Sequence, residues 1–288
     1  MNKKVALVLS GGGARGIAHI GVIEELEKRD YTITSIAGTS MGSVVGGVYA
    51  MGKMEEFKEW LFTLDKMKVA NLLDFSFGSP GLIKGDRVLR RMMEFIPDRN
   101  IEDLPIPYAA VATDIISQEE VVFTTGSVYK AIRASIAIPA VITPVKTKTG
   151  ILVDGGVINN IPVNRVTRHN GDILIAVNVN ANIPLPKKSV TKKEEEVSQS
   201  VYQKKLAGFY QQLQKINPIQ HEEKMGYLDV ITKTMGMMTY ARDKTSLEKA
   251  NVDILINISQ NIGGPFDFYK AEQMAEAGRE AAVLELGE

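Results

Sequence analysis

The segment from Lys4 to Leu9 is almost continuously apolar. A run of that length without polar alternation reads as a strand buried on both faces. A glycine-rich loop follows, then a helix from about Arg15 to Arg29, on which His19, Val22, Ile23 and Leu26 share one face. A short apolar strand from about Thr34 to Ala37 leads to Gly38, and another helix begins near Met41. Strand–helix–strand alternation of this kind predicts a parallel sheet covered on both faces. Further strands are expected at Tyr108–Thr113, Glu120–Thr124, Ile151–Val153, Asp172–Asn178 and Asp253–Ile258. Helices are expected at Ser127–Ala137, which Pro139 would end, and near Tyr269–Leu286.

The pattern changes at Pro184–Glu196, where two prolines precede a lysine-rich run and then Glu194-Glu195-Glu196. This reads as an exposed linker entering a helical insertion. Leu206, Phe209, Leu213 and Ile216 form an apolar stripe there, and a Met-rich helix follows around Met225–Tyr240. The expectation is one domain over residues 1–288, with 184–250 as a helical insertion or lid. Its methionines Met225, Met235, Met237 and Met238 suit adaptable apolar contacts, such as a lid or a membrane-facing surface. Amphipathic helices also pack on their own core or on a second subunit, so both readings stand. The apolar stretch Leu72–Phe77 has two readings as well, a flank of the site entrance or core filling.

Composition narrows the function. Apolar residues make up 44% and charged residues 24% of 288, as in an ordinary globular chain. The 34 basic residues balance 34 acidic ones, which argues against a nucleic-acid partner. Without cysteine there is no thiolate chemistry and no disulfide. His19, His169 and His221 are too scattered to announce a metal site. The start Lys3-Lys4-Val5 mimics a signal peptide, but its apolar run is short and glycines follow it. No stretch approaches the roughly 18 apolar residues of a membrane span. The expectation is a cytoplasmic protein, with contact to a membrane surface or to a second copy of itself left open.

Two glycine motifs sit where strands turn into helices. Gly38-Thr39-Ser40-Met41-Gly42 matches G-x-S-x-G, between an apolar strand and a helix. A sharp strand-to-helix turn lifts the serine above the sheet and needs glycines where side chains would clash. The helix N-terminus adds positive dipole beside the hydroxyl. Gly11-Gly12-Gly13-Ala14-Arg15-Gly16 also follows a strand. Its backbone amides suit the negative charge that acyl transfer builds on a carbonyl oxygen, and Arg15 adds a cation. Gly11, Gly13 and Gly16 equally satisfy the dinucleotide fingerprint G-x-G-x-x-G. That reading expects an acid ending the second strand, where this chain has Ala37-Gly38-Thr39-Ser40. A nucleotide-binding enzyme and a non-catalytic regulatory protein on the same scaffold therefore remain alternatives.

A serine nucleophile needs a proton acceptor. His19 is one candidate, although on the apolar face of its helix it also suits bracing the loop by hydrogen bonds. Asp154 is the stronger candidate, because Ile151-Leu152-Val153 ends in Asp154-Gly155-Gly156. A carboxylate at the C-terminal end of a parallel strand would share a rim with Ser40. Free aspartate, with a pKa of about 4, is a weak base, and partial burial would raise it.

Taken together, Gly11–Gly16, Gly38–Gly42 and Asp154-Gly155-Gly156 resemble, in that order, the three blocks of the patatin-like phospholipase family, particularly its small bacterial members. The Ala134-Ser135…Pro139 stretch is similar too. The resemblance covers roughly residues 4–180, and Asp253–Leu286 looks like the bacterial subgroup. It implies a three-layer α/β/α fold with a mostly parallel central sheet. It also implies a Ser40–Asp154 dyad without a catalytic histidine, hydrolysis of acyl esters including glycerophospholipids, and no metal or cofactor.

Overall fold

The computed structural model describes residues 3–74, 83–185 and 227–287. The linker from residue 186 onward, the Leu206–Ile216 stripe, Met225, His221 and the 75–77 end of the apolar stretch lie outside the described residues.

The backbone begins with β1 (Lys3–Leu9), a 3-10 turn over Gly13–Ile17, α1 (Ala18–Lys28), β2 (Tyr31–Thr39) and α2 (Met41–Ala50). Three short helices follow, α3 (Met54–Phe62), α4 (Lys66–Leu72) and α5 (Asp86–Met93). Then come β3 (Tyr108–Asp114), β4 (Glu119–Phe123), α6 (Val128–Ser135), β5 (Val145–Lys146), β6 (Ile151–Asp154) and β7 (Ile173–Ala181). The last elements are α7 (Tyr227–Lys249), β8 (Ile254–Ser259) and α8 (Ala271–Leu286). The strands form one mixed sheet in the order β5-β6-β3-β2-β1-β7-β8, with β4 also paired to β3. Pairings among β3, β2, β1, β7 and β8 are parallel, while β4, β5 and β6 run antiparallel to their neighbours.

Val5 to Leu9 are fully buried, as the unbroken apolar run requires. Val5, Leu7 and Leu9 face the larger core with α1, α2 and α8, while Ala6 and Val8 face a smaller one. Around the smaller core stand Ala37, Ala109 and Ala176 of neighbouring strands. Those small side chains let an irregular segment carrying Ile161 and Val166 lie close to the sheet, joined by Leu247 of α7. Hydrogen bonds supply what a helix would have supplied: Ser35 Oγ donates to the Thr167 carbonyl (2.5 Å) and Thr39 Oγ1 to that of Asn159 (2.8 Å).

The second strand is longer than its apolar pattern predicts. Val5 pairs with Ile33 and Ala6 with Ser35, so Thr34 is an extra residue in a bulge, its hydroxyl bonded to the Val5 carbonyl (3.1 Å). The bulge breaks the alternation that would have extended the strand back to Tyr31. Among the described residues no helix is long and apolar enough to cross a membrane.

Candidate active site

Ser40 sits between β2 and α2 with φ 53° and ψ −125°, a left-handed conformation that is strained for a non-glycine residue. The surroundings hold it there. Its amide donates to Ser135 Oγ (2.8 Å), which in turn donates to the Val111 carbonyl (2.6 Å). Its carbonyl accepts from Ser43 Oγ (2.6 Å). The flanking glycines are required by close approach. A Cβ on Gly42 would lie 2.7 Å from the Ser10 carbonyl oxygen and closer still to that of Leu9, and one on Gly38 would overlap the Gly42 carbonyl.

Asp154 arrives from the opposite direction. The expectation of a parallel strand is corrected here: β6 is antiparallel to β3. On β3, Val111 pairs with Thr39 and the next residue, Ala112, pairs with Asp154. Because β4 pairs with Ala110–Asp114, it takes the other edge of β3. β2 and β6 therefore share one edge and meet head-on at their C-terminal ends. That meeting brings Ser40 and Asp154 together, although β6 has the opposite sense.

The Asp154 side chain is buried, at 6% exposure. Its Oδ1 accepts the Gly156 amide (2.8 Å), and its own amide donates to the Ala137 carbonyl (2.9 Å). Among the described residues Oδ2 has no hydrogen-bond partner. The Ser40 hydroxyl is near enough to favour the carboxylate without making a hydrogen bond of ordinary geometry. Burial dominates and pushes the carboxyl up from 3.8 to about 6, with Ser40 and the Gly156 amide pulling the other way. At neutral pH the group is an ionised, poorly solvated carboxylate facing a hydroxyl. Such a pair can pass a proton.

His19 does not compete for that role. It is fully buried, its Nε2 donates to the Ser10 carbonyl (2.8 Å), and burial lowers its pKa to about 4. It braces the glycine loop as a neutral imidazole. His169 is exposed at the far end of the irregular segment.

The glycine loop lies beside Ser40, but its amides are not all free. Gly11 donates to the Asn160 carbonyl (3.1 Å) and Ala14 to that of Pro265 (2.9 Å). This narrows the expected donor set, since an amide already spent on a protein carbonyl is a poor partner for a developing oxyanion. Among the described residues the Gly12 and Gly13 amides remain uncommitted. Arg15 is turned to Asn180 Oδ1 (2.8 Å), and Asn180 Nδ2 donates back to the Gly11 carbonyl (2.6 Å). Gly16 packs against Met41 and Gly155 against the Val111 backbone, which ties both glycine blocks to the elbow.

From Gly13 and Ser40 an apolar cavity of about 150 Å³ runs under α3, α4 and α5. Met41, Val44, Phe57, Leu61, Leu89 and Met92 are among its walls. Leu72 and Leu73 reach it as well, which places that end of the apolar stretch at the site. The three helices were not legible as site elements in the sequence. Nor were Ser135, Asn160 and Asp243, whose hydrogen bonds organise the elbow and the acid turn. Only Ser135 had a signal, in the Ala134-Ser135 block.

A family model described as patatin-like phospholipase matches residues 7–166. An uncharacterized NTE family protein of Mycobacterium tuberculosis is 45% identical over 179 residues, covering 62% of this chain and 50% of that protein. Patatin-like phospholipase domain-containing protein 6 of Homo sapiens is 27% identical over 281 residues, covering 95% of this chain and 20% of that protein. The solved structure of VipD from Legionella pneumophila aligns over 99% of this chain and 67% of its own, with a TM-score of 0.46 and 14% identity. The chain thus spans about half the length of the mycobacterial relative and about a fifth of the human one.

Proposed function

Since this chain belongs to the patatin-like phospholipase family, we propose that it is a serine acyl hydrolase of the phospholipase A type, cleaving acyl esters of lipids. The observation that carries the reading is the buried Asp154 Oδ2, unpartnered among the described residues, beside a strained Ser40 at the mouth of an apolar cavity. In the first step Asp154 takes the Ser40 proton as Oγ attacks the acyl carbonyl. The Gly12 and Gly13 amides stabilise the oxyanion. The leaving alcohol recovers the proton from Asp154, and an acyl-enzyme remains. Water then attacks the acyl carbon with Asp154 again as base, releasing the fatty acid and restoring the hydroxyl.

A carboxylate is a weaker base than imidazole, and its raised pKa brings it closer to the working pH. Activity should fall on the acid side with a midpoint near 6, because protonated Asp154 cannot accept the Ser40 proton. The cavity suits an alkyl chain. Each further methylene buried in it is worth about 0.8 kcal/mol, so kcat/KM should rise about fourfold per methylene until the cavity is full.

The deciding experiment is labelling with a fluorophosphonate probe, which reports an activated serine without knowledge of the substrate. Intact protein should be labelled at Ser40, and Ser40→Ala should lose both labelling and turnover of nitrophenyl esters. Full esterase activity in Ser40→Ala would end the proposal. Asp154→Asn should lose turnover, while His19→Ala, which loosens the loop that His19 braces, should keep a measurable share of it; an active Asp154→Asn beside a dead His19→Ala would reassign the base.

A further inference from the structure

One face of α7 grips the turn that carries Asp154. Thr239, Arg242 and Asp243 stand at i, i+3 and i+4, so they project from the same side of the helix. The Thr239 hydroxyl donates to the Gly156 carbonyl (3.2 Å), and the Arg242 guanidinium donates to that of Val157. Asp243 accepts from Asn160 Nδ2 at 2.8 Å, with both residues only 6% exposed. The gripped stretch has two ends. At one, the Gly156 amide holds Asp154 Oδ1; at the other, the Asn160 carbonyl holds the Gly11 amide of the glycine loop.

This grip is not a by-product of apolar docking. Val230, Met237, Met238 and Tyr240 of α7 are exposed, and among the described side chains of the helix Leu247 alone joins a core cluster. Burying a carboxylate merely to hold a neutral amide is unfavourable unless something else is gained. We infer that Asp243 is a positioning residue: through Asn160 it fixes the separation between the glycine loop and the Asp154 turn, so α7 sets the geometry of the reacting groups without touching substrate. The inference rests on the reading of Ser40 and Asp154 as the reacting pair.

The test compares Asp243→Ala with Asp243→Asn in the full chain. Asparagine keeps an oxygen that can accept from Asn160, whereas alanine does not. A displacement of reacting groups by a fraction of an ångström to an ångström should lower kcat and the labelling rate of Ser40 about ten- to a hundredfold in the alanine variant, with KM within about twofold. The asparagine variant should recover most of that loss. The acid limb separates positioning from charge. A weakened Gly156–Asp154 hydrogen bond favours protonated Asp154, so the limb moves to higher pH in the alanine variant. Burial raises the Asp243 carboxyl itself to about 6, so its charge is present above that pH, and removing that charge alone would move the limb to lower pH in both variants. Equal losses in both, a downward limb shift in both, or an unchanged kcat in Asp243→Ala would overturn the inference. Should Asp243→Ala fail to fold, Thr239→Val decides. It removes the hydrogen bond to the Gly156 carbonyl, and should lower kcat about threefold or more with an upward limb shift. An unchanged kcat there would overturn the inference too. Ser40→Ala runs alongside: if it retains activity, the reading of the pair has failed; if it is dead while the Asp243 variants behave as wild type, only the role of Asp243 has failed.

Discussion

Ser40 stands on backbone packed against backbone, whereas the turn beyond Asp154 is held mainly by side-chain hydrogen bonds. On the serine side, central parallel strands lead into a helix, and Gly42 lies against the Leu9 and Ser10 carbonyls with no room for a methyl group. On the acid side, the four-residue β6 opens into a 3-10 turn over Gly155–Val157 and then irregular chain; Gly155 lies against the Val111 main chain, and the rest is tied down by Thr39, Asn160 and the grip of α7. The difference teaches where each half should fail. The serine side is over-determined by sterics, so damage there should appear as lost folding. Beyond Gly155, the acid side is determined by directional bonds, so damage there should appear as lost rate in a folded protein.

The sharpest way to break this contrast is Gly42→Ala. The new Cβ would press on main-chain oxygens that cannot swing aside, so a loss of more than about 3 kcal/mol in urea unfolding is expected. A wild-type midpoint for this variant would mean that the elbow is softer than its packing implies.

The same contrast explains what the sequence disclosed. The elbow is local: strand, glycine, serine, glycine and helix lie within a few residues, so Ser40 and its setting are readable directly. β1 is readable because burial on both faces leaves an unbroken apolar run. The acid side depends on partners distant in sequence. Nothing in four residues, Ile151–Asp154, tells a strand which way to run, and the antiparallel pairing with β3 follows from the whole sheet. Asn160 and Asp243 are 83 residues apart, and each reads alone as an ordinary polar residue. The walls of the cavity were hidden for another reason. α3, α4 and α5 carry apolar residues that resemble any core-facing helix, and only the tertiary fold shows that they enclose space beside Ser40.

Asp154→Asn tests the electrostatic half of the comparison. The native carboxyl titrates near 6 and the unfolded one near its ordinary 3.8. Between those values the native state binds more protons than the unfolded state, so stability falls as pH rises through this window. Below it both states are protonated and burial costs nothing extra. Above it the native state carries a buried charge whose full cost is at most about 3 kcal/mol, less whatever relaxation recovers. Asp154→Asn should therefore be more stable than wild type by about 2 kcal/mol at pH 8 and nearly indistinguishable at pH 4. Thermal unfolding at the two pH values checks this, and a gain of equal size at both would show that burial of the charge is not its cause.

Gly156→Ala should show the smallest effect on stability and the clearest separation of the two halves. Here an added Cβ meets side-chain atoms, Asp154 Oδ1 and Asn160 Oδ1, each at 3.1 Å, where small rotations can relieve the contact. A cost of about 1 kcal/mol or less is expected in urea unfolding. The groups that must rotate, however, are the carboxylate facing Ser40 and the amide bonded to Asp243. A displacement too small to unfold the protein still moves a reacting atom, so turnover should fall about tenfold or more while the unfolding midpoint stays close to wild type. If Gly156→Ala instead lost stability as heavily as Gly42→Ala, the acid turn would have to be as sterically fixed as the elbow, and the division between packing on one side and hydrogen bonding on the other would not hold.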